Sequence, residues 1–214
     1  MMATIDRGLR FAAIVLTLAL PTLSARAADC DGLLSSKAPV LMRGSSVTIW
    51  KGTVKPGLAS FRITRGEDPV RVTEAIGSES EPSLELLIKG ILITRTTNLK
   101  SKQAIDYDYP SIQGVLTTGT EMRYTRLVKQ GGELASTETG IAHIGETSLT
   151  QVGDCEVEVM AIDSEVQSDK APARAARLLY APQLGYFVKA ESAGSLAGSD
   201  FATAFSATSL ELAP

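Results

Sequence analysis

Three positions carry side chains of the types that hydrolytic or metal-dependent chemistry uses. His143 is the only histidine in the 214-residue chain, so any mechanism that needs an imidazole base depends on it. Asp106 and Asp108 flank Tyr107, and on an extended segment such alternate residues share a face about 6.5–7 Å apart. Two carboxylates at that separation suit an acid/base pair or part of a Ca²⁺ site.

The local sequence favours a plainer interpretation of both candidates. His143 lies in the segment GIAHIGET, where Ala142 and Ile144 share the opposite face, and this pattern is typical of an exposed histidine on a strand. Calcium needs several more oxygen ligands, and the two carboxylates of a glycosidase normally come from distant strands. We therefore interpret Asp106 and Asp108 as part of a polar loop that enters a turn at Pro110.

The remaining motifs argue against nucleotide, thiol-redox and serine-hydrolase chemistry. The sequence has no G-x-G-x-x-G, no P-loop and no C-x-x-C, and residues 194–198 (GSLAG) place serine in the wrong position for a nucleophile elbow. Lys170, Arg174 and Arg177 are the nearest thing to a basic patch, interpreted as a solvated hairpin flank. We expect no enzyme activity, no cofactor and no metal site.

Residues 1–27 have the three parts of a secretory signal peptide. Arg7 and Arg10 precede the apolar run 11–20 (FAAIVLTLAL), and residues 25–27 (ARA) form an A-x-A cleavage site. Ten apolar residues followed by a proline are too few for a transmembrane anchor, which needs roughly 20. Lipidation of Cys30 is the alternative, but Asp29 stands where lipoprotein processing requires a small residue. Cleavage after Ala27 predicts a periplasmic protein, residues 28–214.

Charge and cysteine content limit the partners and the covalent structure. The formal net charge is −3 for the whole chain and −5 for residues 28–214, and this mild acidity argues against nucleic acids and anionic membrane surfaces as main partners. Two cysteines, Cys30 and Cys155, in an oxidising compartment predict one disulfide. The link would close a loop of about 125 residues and stabilise the fold by roughly 4–5 kcal/mol; two separate buried thiols are the alternative.

Short runs rich in Val, Ile, Thr and aromatic residues, separated by Gly, Pro, Asp and Ser, predict an all-β fold. Residues 46–54 alternate, and a turn at Pro56-Gly57 is predicted before the strand 59–64. Residues 84–94 are apolar on both faces and suit a central strand or a short helix, with Gly90 favouring the strand. Residues 98–111 are interpreted as a polar connection.

The C-terminal half alternates more regularly. It predicts a hairpin around residues 130–132 (QGG), a strand over 156–162, a second hairpin around 181–185 (APQLG) and a last strand over 201–212. The whole pattern predicts a single domain built on a curved antiparallel sheet or half-barrel of about ten strands, with little helix.

Residues 152–159 (VGDCEVEV) and 177–191 (RLLYAPQLGYFVKAE) carry a resemblance. They are similar to the C-terminal part of uncharacterised proteobacterial periplasmic proteins, which have a G-x-[FC]-x-[AV] strand and a Y-x-P-x-L-G-x-x-[VL]-K hairpin. The resemblance covers the last third to half of the chain. It implies a half-barrel of curved antiparallel strands, a shape also used by periplasmic lipoprotein carriers, and it brings no catalytic residues.

The function expected from these observations is non-enzymatic. An apolar concave sheet face would bind a lipid acyl chain, another hydrophobic ligand or an envelope protein. Two alternatives stay open: an envelope-directed hydrolase that uses Asp106 and Asp108, and a structural assembly subunit that pairs through an exposed sheet edge.

Overall fold

The computed structural model describes residues 30–66, 68–76, 82–196 and 199–213. The predicted signal peptide, residues 1–27, lies outside the described residues. Within these ranges one short helix, α1 (Cys30–Ser35), precedes the strands. No helix in the described ranges is long and apolar enough to cross a membrane.

Twelve strands form one antiparallel sheet that closes into a barrel, in which β1 pairs with both β2 and β12. The prediction of an all-β, curved antiparallel fold is confirmed. The described strands number twelve rather than about ten, and the sheet is closed. The strands are β1 Val40–Trp50, β2 Thr53–Thr64, β3 Val70–Ile76, β4 Leu84–Lys89, β5 Leu92–Asn98, β6 Ala104–Gln113, β7 Glu121–Gln130, β8 Glu133–Val152, β9 Cys155–Ser168, β10 Arg174–Ala181, β11 Tyr186–Leu196 and β12 Ser199–Leu212.

The turn between β1 and β2 lies earlier in the chain than predicted. Lys51 and Gly52 both have positive φ, 50° and 76°, as a tight two-residue hairpin turn requires. Pro56-Gly57, predicted as the turn, lies inside β2. Proline is tolerated there because β2 pairs with β3 only from Ala59 onward, so the missing N–H of Pro56 leaves no gap in that ladder.

Two other segments were also predicted wrongly. Residues 84–94 were predicted as one strand or a short helix. They form a hairpin instead, in which β4 and β5 are joined by a turn at Gly90-Ile91. Residues 104–111, predicted as part of a polar connection, belong to β6. The acidic side chains of β6 hid the alternation with Tyr107 and Tyr109, whose rings lie on the opposite face against Arg126 and Tyr124.

One face of the sheet forms the inside of the barrel and its core. Val40 and Met42 on this face are fully buried. The rings of Phe61 on β2 and Tyr186 on β11 lie 5.3 Å apart although β1 and β12 run between them, so the sheet is strongly concave here. Gly44 makes this possible, because a Cβ on it would lie 2.4 Å from the ring of Phe205.

The end of the barrel where β1 begins, which we call the disulfide end, is closed by α1 and the tip of the β8–β9 hairpin. The predicted disulfide between Cys30 and Cys155 is confirmed, with the Cα atoms 5.4 Å apart. Leu33 and Val157 pack in the same core cluster. Arg65 donates hydrogen bonds to the carbonyls of α1 and its neighbours, at Leu33, Leu34, Ala38 and Gln183.

Candidate functional site

Two rows of side chains cross six neighbouring strands on the face opposite the core. Strand register places each member beside the next, and alternate residues of a strand share a face. We call the first the charged row: His143, Asp163, Arg177, Glu191, Ala204 and Val47. We call the second the alanine row: Ile141, Glu165, Ala175, Ala193, Ala202 and Ile49.

The two rows line an open cavity of about 770 Å³. Four alanines, three of them consecutive in the alanine row, leave room above the backbone because their side chains end at Cβ. Val47, Ile49 and Ile141 add larger apolar groups at the two ends of the rows. A volume in this range suits a small-molecule ligand, since such sites span about 300–1,000 Å³.

Acidic groups outnumber basic ones along the cavity. Asp163, Glu165 and Glu191 contribute carboxylates, and Arg177 contributes a guanidinium whose Nε lies 3.5 Å from Oδ1 of Asp163. The Lys189 ammonium, 2.9 Å from Glu191 Oε1, lowers the pKa of Glu191 through its hydrogen bond and charge. Glu191 is therefore ionised at neutral pH, and the cavity lining carries net negative charge.

His143 lies in the charged row, with its side chain 64 % exposed. Its Nδ1 is 3.2 Å from Oε2 of Glu121 on β7. Ala142 and Ile144, on the opposite face, are buried, so the predicted orientation of this histidine is confirmed. The histidine contacts a carboxylate but has no serine or cysteine nucleophile on its own row.

The structure does not bring Asp106 and Asp108 to this cavity. Both project from the same face of β6, as predicted for alternate residues, and they line a separate depression with Lys129. Asp106 Oδ1 is 3.5 Å from Nε of Arg95, and Asp108 Oδ2 is 2.5 Å from Nζ of Lys129. A neighbouring cation offsets each carboxylate. No residue lines both cavities.

Each of the three residues of the weak basic patch forms a hydrogen bond or an ion pair within the protein. Arg174 Nη2 donates to Glu138 Oε1 at 2.8 Å, and Lys170 Nζ donates to the carbonyl of Ala135 at 2.6 Å. Arg177 pairs with Asp163. Among the described residues no group of three or more His, Cys, Asp or Glu side chains could hold a metal ion.

A buried ionic network lies on the core face of β7, β8 and β10. Glu138 is buried and accepts hydrogen bonds from Arg126 Nε at 2.7 Å and from Arg174. The Arg126 guanidinium also stacks 5.0 Å from the ring centroid of Tyr107. Burial raises the pKa of the neighbouring Tyr109 to about 12, so this phenol stays protonated. The network links β7 with β8 and β10, and the latter two are among the six strands that carry the cavity.

The alanine row was missed in the sequence. Its three alanines come from β10, β11 and β12, and each of these strands by itself shows only a small residue at alternate positions, as in residues 201–205 (FATAF). A single strand with small outward residues is unremarkable. The cavity arises because register aligns these positions across the sheet, which no local pattern encodes.

The fold and site together define a closed, twelve-stranded antiparallel β-barrel with an open cavity on its sheet. No protein family and no curated protein matches the sequence. The chain is similar to a solved structure, the hypothetical lipoprotein YmcC from Escherichia coli (K12), with a TM-score of 0.41 and 8 % sequence identity. The similarity covers 81 % of this chain and 90 % of that chain. At this TM-score it carries no argument about function.

Proposed function

We propose that the chain is an exported, non-enzymatic binding protein whose cavity holds the apolar part of an amphiphilic ligand. The observation that carries the proposal is the alignment of Ala175, Ala193 and Ala202 on the floor of a cavity of about 770 Å³. Apolar surface left open to water is costly unless something covers it. Export is proposed from the leader sequence of residues 1–27.

The charges around the cavity narrow the ligand class. Three carboxylates against one guanidinium on the lining disfavour a ligand whose head group is itself a carboxylate. A lipid or other amphiphile with a neutral or amine-bearing head group suits the lining better than a free fatty acid does. The apolar tail would lie over the alanine row and the polar group would lie along the charged row.

A pair of fluorescent probes tests this proposal. N-phenylnaphthylamine is apolar and uncharged, whereas cis-parinaric acid carries a carboxylate on an acyl chain. We expect the purified protein to enhance the fluorescence of the uncharged probe and to bind cis-parinaric acid more weakly at low salt. Mass spectrometry of an organic extract of the natively purified protein would identify a ligand that copurifies.

A cavity-filling variant supplies the control. Ala193→Phe places a ring over the exposed floor and removes about 50 Å² of contact area from the ligand, which at about 25 cal/mol per Å² weakens binding about tenfold. Ala104→Phe puts the same ring on β6, away from the two rows, and should bind the probe like the unaltered chain. Equal binding by both variants, or no fluorescence enhancement at all, contradicts the proposal.

A further inference from the structure

The β1–β2 hairpin extends beyond its neighbour β3. β2 pairs with β3 only over residues 59–64, whereas β1 and β2 stay paired from Val40-Ile63 to Trp50-Thr53. Residues 45–58, which we call the hairpin tip, are flanked by β12 on one side and by no described strand on the other. Along the tip β1 stays paired with β12, so residues 53–58 of β2 form an edge of the sheet among the described residues.

The tip is unusually apolar for a solvent-exposed element. Four of the nine exposed large hydrophobic side chains in the described ranges lie on it: Ile49 (37 %), Trp50 (38 %), Val54 (59 %) and Leu58 (67 %). Register places Val54 beside Ile49, and Pro56 beside Val47. Val47 and Ile49 also line the cavity, so the face of the tip that carries Ile49 and Val54 continues into the cavity lining, whereas Trp50 projects from the other face.

The charge of this element is opposite to that of the whole chain. No Asp or Glu occurs in residues 32–66, although the formal net charge of the chain is −3. Lys51 forms the turn, with its Nζ 5.9 Å from the ring centroid of Trp50, and Lys55 follows on β2. Neither lysine forms a salt bridge with a described carboxylate.

We propose that the hairpin tip docks on an anionic phospholipid surface. An indole ring partitions to the boundary between head groups and acyl chains, and lysines at that depth are attracted to lipid phosphates. The tip docks end-on, so that Trp50 and Val54, which project from its opposite faces, both enter the boundary, while Lys51 and Lys55 contact the head groups. The acidic remainder of the molecule is repelled, which confines contact to the tip. Docking brings the cavity wall at Val47 and Ile49 to the lipid surface.

The docking proposal is independent of the ligand proposal. It depends on the exposure and charge of the tip, whereas the ligand proposal depends on the alanine row. A protein that docks without binding N-phenylnaphthylamine, or that binds the probe without docking, separates the two.

Trp50 is the only tryptophan of the chain, so its fluorescence reports on the tip alone. The protein purified from the envelope of an exporting host is mixed with vesicles of equal parts phosphatidylglycerol and phosphatidylcholine, and with vesicles of phosphatidylcholine alone. We expect the anionic vesicles to shift the emission of Trp50 to shorter wavelengths and to carry the protein with them on sedimentation. Raised salt should weaken this binding, because the attraction is screened.

Two double variants with the same change in net charge distinguish binding through the tip from a general effect of the protein's charge. Lys51→Glu/Lys55→Glu should lower the affinity for anionic vesicles about 25-fold or more, at about fivefold for each lysine at the surface. Lys37→Glu/Lys89→Glu makes the same change in net charge at the disulfide end and should lower it less than about threefold. Both pairs are exposed, so folding is expected to be unaffected.

Three results would overturn the docking proposal. The first is equal binding to both kinds of vesicle, or to neither. The second is an equal loss of affinity in the two double variants. The third is a Trp50 emission that shifts with protein concentration in the absence of lipid, together with a larger species on size exclusion, because the tip would then be covered by a second copy of the chain.

Discussion

The two ends of β1 lie in contrasting environments. At the disulfide end, Val40 and Met42 are fully buried inside the barrel. At the other end, which carries the β1–β2 turn, Ile49 and Trp50 are more than a third exposed. The same extended backbone thus contributes to the core over its first few residues and to the cavity and hairpin tip over its last. Stability and binding are divided along the strands rather than between separate domains.

This division has a physical basis in what covers each half of the sheet. The disulfide end is covered by α1 and the β8–β9 tip, so its inward side chains lose nearly all contact with water. The hairpin end has no such cover among the described residues. Apolar residues there contribute little to folding, which leaves them available to contact a ligand or a lipid surface.

Removing the disulfide should cause the largest loss of stability, and it should do so at the disulfide end. Cys30→Ala/Cys155→Ala releases a constraint across 125 residues and should lower the free energy of unfolding by about 5 kcal/mol. Urea denaturation followed by circular dichroism measures this. If the variant loses less than about 1 kcal/mol, the disulfide end would not be the part of the molecule that depends on covalent closure.

Breaking the buried ionic network of Arg126, Glu138 and Arg174 should give the next largest loss of stability. Arg126→Ala leaves the buried Glu138 with one cation fewer beside it, which should lower the free energy of unfolding by about 3 kcal/mol. Arg174 also binds Glu138, but its side chain is 42 % exposed, so Arg174→Ala should cost about 1 kcal/mol or less. Urea unfolding of both variants checks the order. A larger loss in Arg174→Ala would contradict it.

Glu74 should give a smaller, pH-dependent effect at the core face. Burial raises the pKa of Glu74, so the folded state holds this proton more tightly than the unfolded state does. Stability from this group is present below the unfolded pKa, about 4.3, and is lost as pH rises through the folded pKa. Glu74→Gln removes that loss. Thermal melts should therefore show a gain over the unaltered protein at pH 8 and little difference at pH 4.

The sign of this effect is diagnostic. A Glu74→Gln variant that is less stable at pH 8 than at pH 4, relative to the unaltered chain, would mean that the carboxylate has a stabilising partner. Burial of the Glu74 carboxylate would then not destabilise the folded protein. Tyr186 lies close by, and its own pKa is raised by burial and by the charge of Glu74.

The smallest change in stability is expected from substitution of the two aspartates of β6. Asp106→Asn/Asp108→Asn removes two exposed ion pairs and should change stability by less than about 1 kcal/mol in total. Binding of N-phenylnaphthylamine should be unaffected, because neither residue lines the cavity. If the unaltered chain degraded envelope material and this double variant did not, the hydrolase interpretation would replace the binding one.

Sequence reasoning succeeded where the signal was local. Residues 130–132 (QGG) predicted the hairpin between β7 and β8, and the two cysteines predicted their link. It failed at Pro56-Gly57, where a turn dipeptide lies on an edge of β2 that pairs with no described strand, and at residues 104–111, where surface carboxylates concealed the alternation of half-buried tyrosines. In both places the deciding factor was which neighbouring strand is present, and that information is not local.

The candidate site was predictable only in its separate parts. The opposite-face relation of His143 to Ala142 and Ile144 follows from a period of two. Its position in a row with Asp163, Arg177 and Glu191 does not, because that row depends on the registers of four strands. The same holds for the alanine row and for the separation of Asp106 and Asp108 from His143.

The amino-acid sequence by itself determined that this chain is built of strands and which side chains of most strands share a face, and it predicted the pairing of its two cysteines. Tertiary structure alone decided that the sheet closes, that β10, β11 and β12 align three alanines in one cavity, and that the first residues of β1 are buried while its last residues are exposed. The reason is that side-chain period is a local property of the backbone, whereas closure joins β1 to β12 across about 170 residues, as in the contact of Arg43 with Glu211.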